Sequence, residues 1–148
     1  MAALNKKQED ELRELARSAG IGRVPLSTYK TPAVVDGAYQ PEIDIYVEEV
    51  DQSTQFYKYL RSRFGRDFAT VAIEIQGDVS VKHRMGDLIN AVLNADVGLV
   101  VCGTDKERER CERIARYVRH YRLLGDRPFP LILTEVEFRK LLNSAITP

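Results

Sequence analysis

The chain has 148 residues and a mass of 16.8 kDa, enough for one domain that buries roughly two thirds of the surface of its unfolded chain without disulfide staples. Hydrophobic residues at 44% and charged residues at 30% exclude a disordered chain, and 22 basic against 22 acidic residues exclude a partner chosen by bulk charge alone. Only the distribution of charge can indicate a nucleic acid or a membrane as partner.

The chain opens on Met1-Ala2-Ala3-Leu4-Asn5-Lys6-Lys7 with no long apolar core behind it, and no run reaches the length of a membrane span. Cys102 and Cys111, nine positions apart, form neither a CxxC pair nor a metal cluster, so a reduced, cytoplasmic setting is expected. Residues 5–19 read as a helix capped by Asn5, with Leu12, Leu15, Ala16 and Ala19 on one stripe before Gly20 and Gly22. Glu9, Asp10, Glu11 and Glu14 form its solvated face; the alternative makes Glu11 or Glu14 a supplementary metal ligand.

Between Arg23 and Gln40 the helical period is lost. Pro25, Pro32 and Pro41 punctuate the β-prone runs Val24–Tyr29 and Ala33–Val35, and Asp36-Gly37 signals a tight turn, so a strand and hairpin are expected. In residues 42–48, Ile43, Ile45 and Val47 alternate with Glu42, Asp44, Tyr46 and Glu48, the pattern of a half-buried strand. Residues 52–66 return to helical spacing with Phe56, Leu60 and Phe64 on one stripe. Lys58, Arg61, Arg63 and Arg66 lie among Tyr57 and Tyr59 with no acid between Phe56 and Arg66. This composition suits either a phosphate-tracking, base-stacking surface or a scaffold helix with solvated cations.

The stretch Ala72-Ile73-Glu74-Ile75-Gln76-Gly77 is the anomaly, because it sets polar side chains inside a strand that otherwise reads as buried. Val71, Ile73 and Ile75 share one face, and Ala72, Glu74 and Gln76 the other. A carboxylate there needs a cation or several donors. Val81, Met85, Leu88, Ile89, Val92 and Leu93 then define an amphipathic helix, with Lys82, His83, Asp87, Asn90 and Asn94 off its stripe. It leads into Val97–Gly103, a run apolar enough for a strand covered on both faces.

Thr104 and Glu107 predict a capping box for a helix over 105–122, with Cys111, Ile114, Ala115, Val118 and Tyr121 as its core stripe. Glu109 to Arg113 and Glu112 to Arg116 have the i,i+4 spacing of self-paired surface charges, which leaves His120 structural or exposed. Phe129–Leu133 reads as a strand, and Thr134 with Glu137 caps a last helix through Leu142.

If the 42–48 and 71–76 strands are neighbours, Asp44, Glu74 and Gln76 converge on one face. Two converging carboxylates call for a cation, and hard oxygen ligands at an incomplete site suit Mg²⁺ or Mn²⁺. The chemistry implied is metal-assisted phosphodiester hydrolysis. Pro41 three positions before Asp44, then Glu74-Ile75-Gln76, a helix and a buried strand, resembles the PD-(D/E)XK nuclease superfamily, which includes restriction endonucleases and archaeal Holliday junction resolvases.

The resemblance covers residues 5–103. It implies an α/β fold with a restriction-endonuclease-like core (helix, three strands, helix, strand), a helical insertion at 52–66 and a C-terminal helix-strand-helix extension. It also implies metal ligation by Asp44, Glu74 and the Ile75 carbonyl, a DNA substrate and a homodimer; Lys58, Arg61, Arg63 and Arg66, from the basic and aromatic composition of their own segment, are the expected contacts to the DNA backbone. Gln76 stands where that superfamily usually has a catalytic lysine, and Lys82 or His83 could supply the cation from the next helix. The competing readings are a catalytically silent nuclease-like domain that binds nucleic acid or protein, and a nucleotide-binding module on 97–124. The last is disfavoured because Cys102-Gly103-Thr104-Asp105 lacks the glycine spacing that admits a pyrophosphate.

Overall fold

The computed structural model describes residues 4–31, 37, 40–77 and 81–146, with the side chains of 81, 82 and 144–146 outside the description. Asn5 caps the first helix, α1 (Lys6–Ser18), through a reciprocal box in which its side chain accepts from the Gln8 N–H and Gln8 accepts from the Asn5 N–H. The expected hairpin is present only as β1 (Tyr29–Lys30), antiparallel to β2 (Glu42–Ile43); the Ala33–Val35 run and Asp36 lie outside the described residues.

The strand expected over 42–48 is not continuous. It breaks at Asp44, and its second half, β3 (Ile45–Val47), joins a different sheet. The following helix, α2 (Gln55–Phe64), is capped by Thr54 and closed by Gly65, whose φ of 68° is the left-handed conformation that a residue without a Cβ adopts at least cost.

Next come β4 (Val71–Ile75), α3 (Val81–Leu93), β5 (Val97–Cys102), α4 (Asp105–His120), β6 (Leu131–Thr134) and α5 (Glu135–Ile146). The result is a mixed α/β protein with five helices and a mixed four-stranded sheet among the described residues. The sheet runs β3-β4-β5-β6, with β3 antiparallel to β4 and the other pairs parallel. Every residue of β4 and β5 is buried, as inner parallel strands covered on both faces require.

The two faces bury separate cores. Ile45, Val47, Val71, Ile73, Ile75, Leu99 and Val101 pack with Leu12, Phe56, Leu60, Phe138 and Leu142, so α1, α2 and α5 cover this side. Val100 and Cys102 pack with Leu88, Ala91, Cys111 and Ala115, so α3 and α4 cover the other, as consecutive crossovers of one hand along a parallel sheet demand. The Cys102 and Cys111 sulfurs, distant in sequence, come within 3.4 Å as buried free thiols.

Several expectations change in detail. Tyr121 and Leu93 are exposed rather than core, and Tyr57 is buried, stacked on Phe68 with its hydroxyl donating to Asp67. Thr104 caps α4, but Glu107 does not return the bond. Its carboxylate is fully buried and pairs with Arg84 at 2.6 Å and with Arg110. Thr134 and Glu137 do form the reciprocal box expected at the start of α5.

Close approach of α3 to the sheet is permitted by Gly98, where a Cβ would fall 2.4 Å from the Ala91 carbonyl oxygen. Because that neighbour is backbone, it has little room to yield. Gly98→Ala is expected to destabilise the fold by about 1–3 kcal/mol, the usual cost of overpacking, with an unchanged denaturant m-value. Chemical unfolding of the variant checks this.

Candidate functional site

Asp44 and Glu74 face each other across β3 and β4. Ile45 pairs with Ile73 and Tyr46 with Ala72, so the antiparallel register, continued by one residue, sets Asp44 opposite Glu74. At this point the ladder is replaced by side-chain bonds. The Asp44 N–H donates to Glu74 Oε1 at 3.1 Å, and the Ile75 N–H donates to Asp44 Oδ2 at 2.7 Å. The Asp44 carbonyl accepts from Arg13 Nε at 2.9 Å.

Arg13 is 4% exposed, held on α1 by Glu9 and Asp10 at 2.9 Å each. Glu74 is 3% exposed, while Asp44 is half-buried and opens the site to solvent. Gln76 lies on the same strand face as Glu74 and is 1% exposed; its backbone donates to the Val101 carbonyl and accepts from the Leu4 N–H. A third carboxyl arrives from α3, where Asp87 hydrogen-bonds to Glu74.

Desolvation is the main reason that both acids resist ionisation. Burial pushes Asp44 up to about 7, opposed by the Ile75 N–H and reinforced by the charges of Glu9 and Asp87. Burial pushes Glu74 further, to about 10, reinforced by the charges of Asp44 and Asp87 and by the bond to Asp87. A bond between two carboxyls needs a proton on one of them, and the ordering assigns it to Glu74. In this form the proton occupies the role a cation would otherwise fill.

The structure thus brings together Asp44, Glu74, Ile75 and Gln76. The Lys82 side chain lies outside the described residues, and His83 is exposed. Two members of the neighbourhood are additional to the sequence reading: Asp87 on α3, and Glu9 on α1, which takes the place considered for Glu11 or Glu14. Glu14 instead pairs with Arg17, and Glu11 lies 3.6 Å from Arg139. The Glu9–Arg13 pair had a legible signal, the i,i+4 spacing with the acid first. Asp87 had none beyond lying off the apolar stripe.

The cations of α2 lie elsewhere. That helix packs through Phe56, Tyr57 and Leu60 on the face of the sheet away from Glu74. Lys58, Arg61, Arg63 and Arg66 are all exposed, and Arg61 is tied to Asp67 at 2.6 Å.

Three carboxyls and a strand carbonyl are hard oxygen donors of the kind that Mg²⁺ and Mn²⁺ take. Among the described residues, however, no group of three or more His, Cys, Asp or Glu side chains is placed so that it could hold a metal ion. Among those residues no helix is long and apolar enough to cross a membrane. Comparison with protein-family models, with curated proteins and with solved structures gave no match.

The lowered acidities fix a sign for the pH dependence. A carboxyl whose folded-state value exceeds its unfolded value keeps a proton that the unfolded chain releases. Stability is therefore full below about pH 4, declines as pH rises through about 7 for Asp44, and continues to fall toward about 10 for Glu74. In EDTA, the melting temperature is expected to drop by at least about 4 °C between pH 5 and pH 9. Glu74→Gln, which keeps a neutral side chain of the same shape, is expected to flatten much of that slope. A parent protein equally stable at both pH values would show that these carboxyls are solvated.

Proposed function

We propose that this protein is a divalent-metal-dependent phosphodiesterase acting on nucleic acid, with a restriction-endonuclease-like core. The observation that carries the proposal is the desolvated cluster of three acids, Asp44, Glu74 and Asp87, at the end of β4, with no unengaged guanidinium beside it among the described side chains. The nearest guanidinium groups are already engaged, Arg13 with Glu9 and Asp10, and Arg84 with Glu107. The order of α1, antiparallel β3 and β4, crossover helix α3 and parallel β5 also supports the reading. The break at Asp44, which puts β1 and β2 in a sheet of their own, departs from a continuous three-strand unit.

In this proposal Asp44, Glu74 and the Ile75 carbonyl hold Mg²⁺ or Mn²⁺, with Asp87 as a further oxygen donor. The ion, when bound, would orient water and neutralise charge developing on phosphate. Glu74 would ligate as the carboxylate, its proton released to solvent past Asp44, which forms the solvent-facing side of the site. Gln76 places an uncharged amide where the resemblance places a lysine, so the residue at that position adds no positive charge to the metal's.

That same residue favours a second reading, a nuclease-like domain that binds nucleic acid or a protein without cutting. Its side chain is buried and uncharged at the position where a cation is expected.

Incubation with linear, branched and single-stranded DNA and with RNA, in Mn²⁺ or Mg²⁺ against EDTA, separates the two. The proposal expects metal-dependent cleavage that falls at least about 100-fold in Asp44→Asn and in Glu74→Gln. At pH 8, saturating Mn²⁺ should raise the melting temperature of the parent, by about 2.7 kcal/mol of added stability at a hundredfold excess over Kd, and of neither variant. Binding without cleavage, indifferent to EDTA, would establish the second reading. The mass of the protein in solution tests the homodimer that cutting two strands would call for.

A further inference from the structure

The arginines of α4 do not pair along the helix as their spacing led us to expect. Glu112 lies 3.7 Å from Arg108, which also holds Asp105 and Glu137, and among the described residues no carboxylate reaches Arg113 or Arg116. Among the described residues, Arg63, Arg66, Arg116, Arg119, Arg122 and Arg127 likewise lack an ion-pair partner. From residue 113 to 127 the sequence has five arginines against one acid, Asp126, in a chain whose net charge is zero.

Six guanidinium groups from three segments meet at one place. Arg63 and Arg66 end α2, Arg116 and Arg119 lie late on α4, and Arg122 and Arg127 lie in the turn before β6. They line four adjoining grooves, of about 240, 370, 450 and 480 Å³, joined through shared walls at Leu124–Phe129 and at Phe129–Leu131. The acid beside Arg66, Asp96, is turned to the backbone, where it accepts from the Ala69 and Thr70 N–H groups.

Apolar and aromatic surface is interleaved with this charge. The Arg119 guanidinium stands 5.3 Å from the centre of the Phe129 ring. Tyr117 and Tyr121, with ring centres 5.0 Å apart, are 53% and 60% exposed. Arg122 has a φ of 52°, a left-handed conformation that an L side chain adopts at a cost and that glycine would take freely.

We propose that this surface is a binding track for single-stranded nucleic acid. Planar guanidinium groups match phosphate, and rings with open faces match unpaired bases; the combination of a cationic groove with aromatic platforms is the chemistry of single-strand recognition. The track lies where β4, β5 and β6 begin, and Glu74 lies where β4 ends, about 13 Å further along the strand from Thr70. It includes Arg63 and Arg66 from the cations singled out in the sequence and leaves out Lys58 and Arg61. It does not depend on the metal site.

Fluorescence anisotropy with a labelled oligothymidylate, in EDTA and in the Glu74→Gln background, tests this surface apart from the carboxyl cluster. The Arg119→Gln/Arg122→Gln/Arg127→Gln variant is expected to bind at least about tenfold more weakly at about 0.1 M salt. Its plot of log affinity against log salt should be flatter by about two units, since each lost phosphate contact on a single strand removes about 0.7. A control with the same change of charge elsewhere, at exposed lysines that line none of the four grooves, Lys7→Gln/Lys30→Gln/Lys106→Gln, should bind within about twofold of the parent. Tyr117→Ala/Tyr121→Ala should weaken binding while leaving the salt slope unchanged.

Arg122→Gly guards against a folding artefact, because it relieves the backbone; it should weaken binding with an equal or higher melting temperature. Unchanged binding by the arginine variant, or equal loss in the control, would overturn the proposal. So would a parent that binds duplex DNA of the same length, or vesicles of anionic phospholipid, as tightly as the single strand.

Discussion

Asp44 is where the main sheet stops and the site begins, and its three backbone-linked bonds hold the two together. Its N–H goes to Glu74, its carboxylate takes the Ile75 N–H, and its carbonyl takes Arg13. A residue that leaves a β-ladder must find other partners for its backbone groups, and here each partner is also a charged side chain or the strand that bears one. The break in the strand is therefore the device by which β4, α1 and the carboxyls are fixed relative to one another. Straightening it would restore ladder bonds and leave Glu74 without its donor.

Much of this was legible before any coordinates. Alternation alone put Asp44, Glu74 and Gln76 on one face, because a period of two is rigid and the aliphatic residues between them leave no choice. The two central strands, the crossover helix and the caps at Asn5, Thr104 and Thr134 follow from local chemistry. The break at Asp44 did not, since residues 42–48 alternate without a flaw and the interruption comes from long-range bonds to Glu74, Ile75 and Arg13. Arg13 was hidden for the same reason. A guanidinium on the polar side of a helix reads as solvated until a strand end is laid against it.

Charge pairing was the least legible feature. Glu112 has more than one cation within reach on its own helix, and Glu107 has one there, Arg110, with another in a different element; spacing alone ranks neither. Glu107 was drawn inward by Arg84 across the layer, and Glu112 was drawn toward Arg108, upstream of the partner its spacing favoured. What remains is a molecule with equal numbers of acids and bases and an uneven field. Buried carboxyls collect at the finishing end of the parallel strands and unpaired arginines at the starting end. Bulk charge averages the two away, although an approaching polyanion would meet them separately.

The hydrogen at Gly98 has a reach beyond packing. It lets the Ala91 carbonyl rest on β5, and Asp87 stands one helical turn before Ala91 on the same side of α3. The spacing between helix and sheet at that contact thus determines whether the third carboxyl reaches Glu74 at all. A side chain added at 98 would act as a wedge, touching none of the acidic residues and yet altering which of them shares a proton. Sensitivity of the site's acidity to a position with no functional group would be the outward sign that the cluster is assembled by the layer above the sheet, and not by the strands alone.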